Sequence, residues 1–336
     1  MKKITKALGA LLALTMALTG CANSGAGSSA GESKGENDSY KVGVIQFAAN
    51  PSLDNCYNGI VEGLDASSVA GKYKIDLQNG NADSASCDSI AQNMVANGYD
   101  VIFAIATPAA LSAYSAAQGT DIPVIFCAVS DPVAAGLTTS LDAGNKNCIG
   151  TSDILDLDAQ VNLIRAMQPE VKKIGVLYTT TEANSVSQLA RLEEVAANYG
   201  IEIVSQGVSG AADIPQAAAS VASQVDCINN FTDNNVVNNL SVLLEAANAA
   251  NIPVYGSEVE QVKNGCMASI SIDYVALGRT TADIGVKVLE GAKAEETPVG
   301  TISEGTPVVN TDVMAKFGIT LPESYANAEQ VTTNAE

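Results

Sequence analysis

The sequence predicts an α/β protein of two similar lobes, each a parallel sheet flanked by helices, joined by a hinge that the chain crosses three times. Three observations carry this expectation. Short apolar runs alternate with amphipathic helical stretches from about Tyr40 to Pro322. The series restarts halfway, where Lys173-Ile-Gly-Val-Leu-Tyr178 echoes Lys41-Val-Gly-Val-Ile-Gln46. The stretch is also long enough for two cores of ordinary size rather than one. A single extended sheet is the competing arrangement.

In the first half, the apolar run from Lys41 to Phe47 suits a buried parallel strand. Ser52 to Leu64 has helical spacing, with Leu53, Tyr57, Ile60, Val61 and Leu64 on one side. Tyr73 to Gln78 alternates as a strand, and Ser84 to Asn97 is helical and stops at Gly98. Val101 to Ala106 is the third strand. Thr107 caps the helix that follows, with Pro108 at its first position. Pro123 to Val129 is the fourth strand and Cys148 to Thr151 the fifth.

The second half repeats the alternation. Asp156 to Met167 is a helix, Lys173 to Tyr178 a strand, Asn184 to Tyr199 a helix and Ile201 to Gln206 a strand. Helices over Ile214 to Ser223 and Asn234 to Ala250 flank a strand at Val225 to Asn229. Strands follow near Pro253–Tyr255 and Met267–Ile270, then a helix from Leu277 to Leu289 and a strand at Pro307–Asn310. The chain crosses between halves near Ser152, near Asp273 and near residue 303. Lobe 1 is expected to hold residues 40–151 and about 275–303, lobe 2 residues 152–274 and about 304–322.

Both ends read as unfolded. Lys2, Lys3 and Lys6 precede an apolar run from Ala7 to Ala17, which is too short for a stop-transfer helix and reads as an export signal over residues 1–20. Leu18-Thr19-Gly20-Cys21 is similar to the bacterial lipobox, which implies that Cys21 is acylated and becomes the new N-terminus. Ala22 to Ser39 has no aromatic or β-branched residue and reads as a flexible tether. Residues 323–336 read as a disordered acidic tail.

Composition narrows the partners. The chain carries −20, and removing the signal segment takes three lysines and no acid, leaving −23. Such a surface repels nucleic-acid phosphates, so nucleic-acid binding is excluded, and the charge itself serves solubility outside the cell. With no His, the Ser-His-Asp and Cys-His classes and most zinc sites are ruled out. No metal or cofactor is expected. The three arginines, 165, 191 and 279, all fall within helices, so no guanidinium clamp for an oxyanion is evident. Six cysteines follow Cys21. Cys127 and Cys227 sit in strands as small hydrophobes, while Cys56 and Cys87, both near helix starts in the first lobe, could meet.

Ligands of parallel α/β sheets bind beyond the carboxyl ends of strands. Here those exits are rich in Asp, Asn, Ser and Thr. The first strand leads into Gln46-Phe-Ala-Ala-Asn-Pro-Ser-Leu-Asp54, the third into Thr107 and Pro108, the fourth into Ser130 and Asp131. In the second half the exits carry Glu182, Asn184 and Ser185, then Asn230 and Asp233, then Ser257 and Glu258. The last crossing carries Asp273 and Tyr274. Thr107 offers a hydroxyl and a helix N-terminus to a carboxylate, and Ser130 could add a second hydroxyl. Asp131 could receive an ammonium group. Glu182, Asn184, Asp233 and Glu258 would face it from the other lobe, and Phe47, Tyr178, Phe231 and Tyr274 could sandwich an apolar side chain. The same residue types also serve as plain helix caps and turn formers.

The exits resemble those of a known family. Gln-x-x-x-x-Pro-x-Leu-Asp from Gln46, Ala-Thr-Pro-Ala-Ala at 106–110, Val-Ser-Asp-Pro-Val-Ala-Ala-Gly-Leu at 129–137, Glu-x-Asn-Ser from Glu182 and Asp-Tyr-x-x-Leu-Gly from Asp273 are similar to the substrate-binding lipoproteins of ABC importers, tryptophan/tyrosine-type. The resemblance spans roughly residues 40–322 and implies the type I periplasmic-binding fold. One departure stands: many relatives carry His before the first-loop Pro, where this chain has Asn50.

The resemblance implies an extracytoplasmic, lipid-anchored receptor, a monomer, which captures an amino acid, aromatic or branched, and delivers it to the membrane-spanning subunits of an ABC permease. The residues alone imply a small ligand, polar at one end and not strongly anionic. A sugar or nucleoside receptor and a ligand sensor share the same core. An exported hydrolase using Asp131 and Glu258 is disfavoured, because no Gly-x-Ser-x-Gly elbow or metal cluster accompanies the missing His. The protein is therefore expected not to be an enzyme.

Overall fold

The computed structural model describes residues 39–302 and 305–334. The export signal, Cys21 and the tether up to residue 38 lie outside the described residues.

The first lobe opens with β1 (Tyr40–Gln46), α1 (Pro51–Asp65), β2 (Tyr73–Asn79), α2 (Ser84–Ala96), β3 (Val101–Ile105), α3 (Thr107–Ala117), β4 (Val124–Cys127) and β5 (Cys148–Ser152). The second holds α4 (Leu157–Met167), β6 (Lys173–Thr179), α5 (Ala183–Asn198), β7 (Glu202–Val208), α6 (Ile214–Ala222), β8 (Cys227–Asn229), α7 (Asn234–Asn238), α8 (Leu240–Ala249), β9 (Val254–Tyr255), α9 (Val259–Lys263) and β10 (Ala268–Ser271). The chain then returns to the first lobe as α10 (Tyr274–Leu289) and β11 (Gly300–Thr301), and ends in the second as β12 (Thr306–Asn310), α11 (Thr311–Phe317) and β13 (Glu329–Val331).

The first sheet has the order β11-β5-β4-β3-β1-β2, the second β7-β6-β8-β9. Both are wholly parallel, as strands fed by helical crossovers must be. In each, strand order reverses beside the first strand, and the crevice at such a reversal is where parallel sheets hold ligands. Val42, Val44, Phe103 and Ile125 are fully buried in the first core. In the second lobe, Ile174 and Val176 face one core and Leu177 the other, the alternation of a strand covered on both sides.

Two close helix approaches fix the site. A Cβ on Gly59 would fall 2.1 Å from the Val275 carbonyl, and one on Gly278 would fall 2.2 Å from the Cys56 carbonyl. Only glycine lets α1 and α10 meet backbone to backbone. This contact holds the start of α1 beside the start of α10.

Several expectations are corrected. Residues 323–334 are not a disordered tail. β13 pairs parallel with β12, and Asn334 N–H donates to the Lys263 carbonyl at 2.7 Å. An edge strand is held by backbone bonds and needs little apolar surface, so polarity misled. β12 also pairs antiparallel with β10, so the second lobe carries a small mixed sheet besides its parallel one. The helix expected over 234–250 breaks at Asn239, whose side chain bonds back to the Asn235 carbonyl. The last long helix starts three residues early because Asp273 caps it through the Val275 and Ala276 N–H groups. Cys56 and Cys87 do not pair: all six described cysteines are free and buried.

Candidate functional site

A cavity of about 30 Å³ lies where the carboxyl ends of both sheets face each other. The first lobe contributes Asn50, Ser52 and Leu53 from the start of α1, Ala106 and Thr107 after β3, Ala128 and Ser130 after β4, Asp153 after β5, and Tyr274. The second contributes Asn184, Thr232, Asn234, Val237, Glu258 and Gln261. Asn50, Ser52, Val237, Glu258 and Gln261 also line an outer groove of about 920 Å³.

Backbone strain marks the first-lobe wall. Ala106 has φ 78° and Ala128 φ 55°, left-handed conformations that cost an alanine on the order of 1 kcal/mol or more. Both sit at strand exits and line the cavity. Their turns bring Thr107 and Ser130 to its edge.

Polar groups face the cavity without partners. Thr107 Oγ1, Asp153 Oδ1 and Asn184 Oδ1 are buried and accept or donate no hydrogen bond. Such groups are costly unless something completes them. Asp153 Oδ2 accepts from the Tyr274 hydroxyl at 3.0 Å. Burial raises the Asp153 carboxyl above the usual range, opposed by the bonds from Tyr274 and Ser130. Among the described residues, no Lys or Arg lines the cavity. The N-terminus of α3, with Thr107 at its head, is therefore the positive element there. The site can thus hold a molecule with an anionic end at α3 and a cationic or donor-rich end at the carboxylates.

Hydroxyls bridge the cleft. Ser52 Oγ donates to Glu258 Oε2 at 2.5 Å, Ser130 and Thr232 hydroxyls lie 3.4 Å apart, and Ser187 bonds Asp131.

Of the residues expected from sequence, Thr107, Ser130, Asn184, Glu258 and Tyr274 come together around the cavity. The others do not line it. Gln46 donates to the Ala48 carbonyl and to Asp54. Pro108 is buried in the first turn of α3. Asp131 bonds the Ala134 N–H and Ser187 at the cleft rim. Glu182 accepts from Asn184, Asn234 and Asn235. Ser185 donates to Asp233, which also holds Thr179 and the Val236 N–H. Asn230 bonds Gln261, Ser257 bonds the Asn230 carbonyl, and Asp273 caps α10. Phe47 and Phe231 are core, and Tyr178 packs against the second-lobe core. Asn50, Ser52, Asp153, Thr232, Asn234 and Gln261 were missed. Asp153 carried a signal, since it leaves β5 just as Ser130 leaves β4. Asn50 caps α1 and lines the cavity as well, so the first loop reaches it.

Two buried carboxylates make stability depend on pH. Burial, then the neighbouring Asp233, push Glu182 up to about 7. Burial pushes Glu258 up to about 7 against the bonds from Ser52 and Glu260. Unfolded, each would ionise near 4.5. The native state therefore keeps protons that the unfolded chain releases, so this contribution is complete below 4.5 and is lost as pH rises through 7. Each loss is on the order of 3 kcal/mol by pH 8. The urea midpoint should fall between pH 5 and pH 8, and Glu258→Gln should flatten the fall. A midpoint that rises over this window contradicts the argument.

Residues 41–332 match the model of a family described as ABC transporter substrate binding protein. The chain is 36% identical over 275 residues to a tyrosine-binding protein of Clostridioides difficile, covering 81% of this chain and 79% of the relative. It is similar to an ABC domain from Streptococcus pneumonia solved in complex with L-Trp, at 35% identity and TM-score 0.84, covering 88% of this chain and all of that one. A ligand-free, open substrate-binding protein with adhesive properties from Clostridium difficile matches at 33% identity and TM-score 0.68, again over 88% of this chain and all of that one.

Proposed function

The chain belongs to the family of ABC transporter substrate-binding proteins, with the two-lobed type I periplasmic-binding fold, and from that premise we propose that it is a receptor for an amino acid. The observation that carries the reading is the trio of buried, unpartnered oxygens on Thr107, Asp153 and Asn184, contributed by both lobes to one cavity. The α-carboxylate lies at the start of α3 with Thr107, and the ammonium meets Asp153. The ligand bridges the lobes and so favours the closed form over the open one.

The conformation fits this cycle. The two solved relatives differ little in sequence identity, 35% against 33%, yet the L-Trp complex superposes better, at TM-score 0.84 against 0.68 for the open, ligand-free one. That difference supports a closed cleft here. The tyrosine and tryptophan named for the relatives favour an aromatic amino acid as the ligand.

The remaining steps rest on sequence and family. The closing Leu18-Thr19-Gly20-Cys21 supports export and a lipid anchor at Cys21, and the family supports delivery to a permease by a monomeric receptor without catalysis. A thermal-shift series with amino acids, sugars and nucleosides tests the ligand class. Aromatic amino acids should raise the melting temperature, since a ligand at 100-fold its Kd adds about 2.7 kcal/mol. A shift by sugars or nucleosides and by no amino acid would refute the reading.

A further inference from the structure

We propose that Glu258 reads the ligand's side chain, and that this side chain carries a hydrogen-bond donor, a hydroxyl or a ring N–H remote from the ammonium group. The proposal rests on the amino-acid reading and narrows it to side chains of that kind.

Two carboxylates, Asp153 and Glu258, line the cavity, and among the described residues no cationic side chain does. An amino acid brings one carboxylate and one ammonium. Thr107, Ser130 and Asp153 stand at the ends of three adjacent strands, β3, β4 and β5. Neighbouring strands lie about 4.8 Å apart, so Thr107 and Asp153 are two spacings, roughly 10 Å, from each other, a span that an amino acid's carboxylate and ammonium bridge with the help of the two side chains. That row accounts for both charges of the ligand and leaves Glu258 over.

Glu258 approaches from the other lobe, as the cap of α9. Its bonds from Ser52 Oγ and Glu260 N–H both fall on Oε2. An ionised carboxylate accepts about four hydrogen bonds, so capacity remains. A ligand that pressed only carbon against it would desolvate a buried acceptor with no return. Its place is also telling. Glu258 lines both the cavity and the outer groove, where a side chain leading away from the backbone end of the ligand has to pass. Leu53, Val237 and Tyr274 flank that path with apolar surface.

The surroundings of Glu258 favour a neutral donor or a cation and no anion. Glu260 lies beside it and Asp153 across from it, with the Cys56 and Cys266 thiols and the Tyr274 phenol nearby. Burial pushes its carboxyl up to about 7, so it is mostly an ionised acceptor at pH 8 and a protonated acid, with a donor of its own, at pH 5.

Calorimetry with two matched pairs tests the proposal: L-tyrosine against L-phenylalanine, and L-tryptophan against its ring-N-methyl derivative. At pH 8 the donor-bearing member should bind about ten- to hundredfold tighter. In Glu258→Met the ratio should collapse to within about threefold, with Glu258→Gln, which keeps an amide acceptor, in between. Equal wild-type affinity within both pairs, or a ratio that survives Glu258→Met, overturns the proposal. If Glu258→Met does not fold, the wild-type ratio decides: it should fall from pH 8 to pH 5, and a constant ratio overturns the proposal. Binding of no amino acid at all overturns the amino-acid reading too, whereas tight binding without discrimination overturns only the role of Glu258.

Discussion

Asp153→Asn should reduce amino-acid affinity at least thirtyfold while leaving the fold intact. Asp153 is 3% exposed and lines the cavity, and its Oδ1 is buried with no partner. Removing one member of a buried charge pair costs about 2–5 kcal/mol in binding. Asparagine has the same shape and keeps an oxygen for the Tyr274 hydroxyl, so packing is preserved. It also removes a carboxylate that burial disfavours, so the melting temperature of the empty protein should hold or rise. Titration calorimetry and thermal unfolding check both halves. Asp131→Ala is the control. Asp131 lies outside the cavity and only caps a turn and bonds Ser187, so its loss should weaken closure slightly rather than abolish capture. If Asp153→Asn binds as the wild type does while Asp131→Ala does not, the assignment of the ammonium is wrong.

Asp233→Ala should lower stability by roughly 4 kcal/mol or more. Asp233 is fully buried and accepts from the Thr179 backbone N–H, the Thr179 and Ser185 hydroxyls and the Val236 N–H. It thereby ties the end of β6, the start of α5 and the start of α7 into one unit. Alanine would strand four donors in a dry interior, each costing about 1–3 kcal/mol less whatever relaxation recovers. Calorimetric unfolding should show a fall on the order of 10 °C. Saturating ligand should restore part of it by mass action, because Asp233 does not line the cavity. A variant with wild-type melting behaviour and no ligand binding would instead make Asp233 a ligand contact.

These two aspartates show what can be read from residues alone. The alternating elements were legible because buried parallel strands such as Val101–Ile105 are short continuous apolar runs between helices of plain 3.6 periodicity. The rule that ligands gather at strand exits then found Thr107, Ser130, Asn184, Glu258 and Tyr274. It could not divide the acids at those exits into those that look inward and those that hold the loop. Asp131, Glu182 and Asp233 are spent on backbone N–H groups and neighbouring hydroxyls, and which donors a carboxylate meets depends on loop geometry. The left-handed turns at Ala106 and Ala128 are further from view, since nothing in an alanine announces a positive φ. The final strand escaped for the opposite reason: Glu329–Val331 is held by the edge it lands on rather than by its own composition.

The glycine contact between α1 and α10 limits how the site can adapt. Ser52 rides on the first turn of one helix and Tyr274 on the first turn of the other, and the two helices touch main chain to main chain at Gly59 and Gly278. Neither helix can slide past the other to make space, so this wall behaves as a single fixed plate. A bulkier cargo has to be accommodated by the opposite jaw or by a wider gape. Changes that retune which cargo is carried would therefore be expected to accumulate around Glu258, Asn184, Thr232 and Val237, while the plate stays as it is.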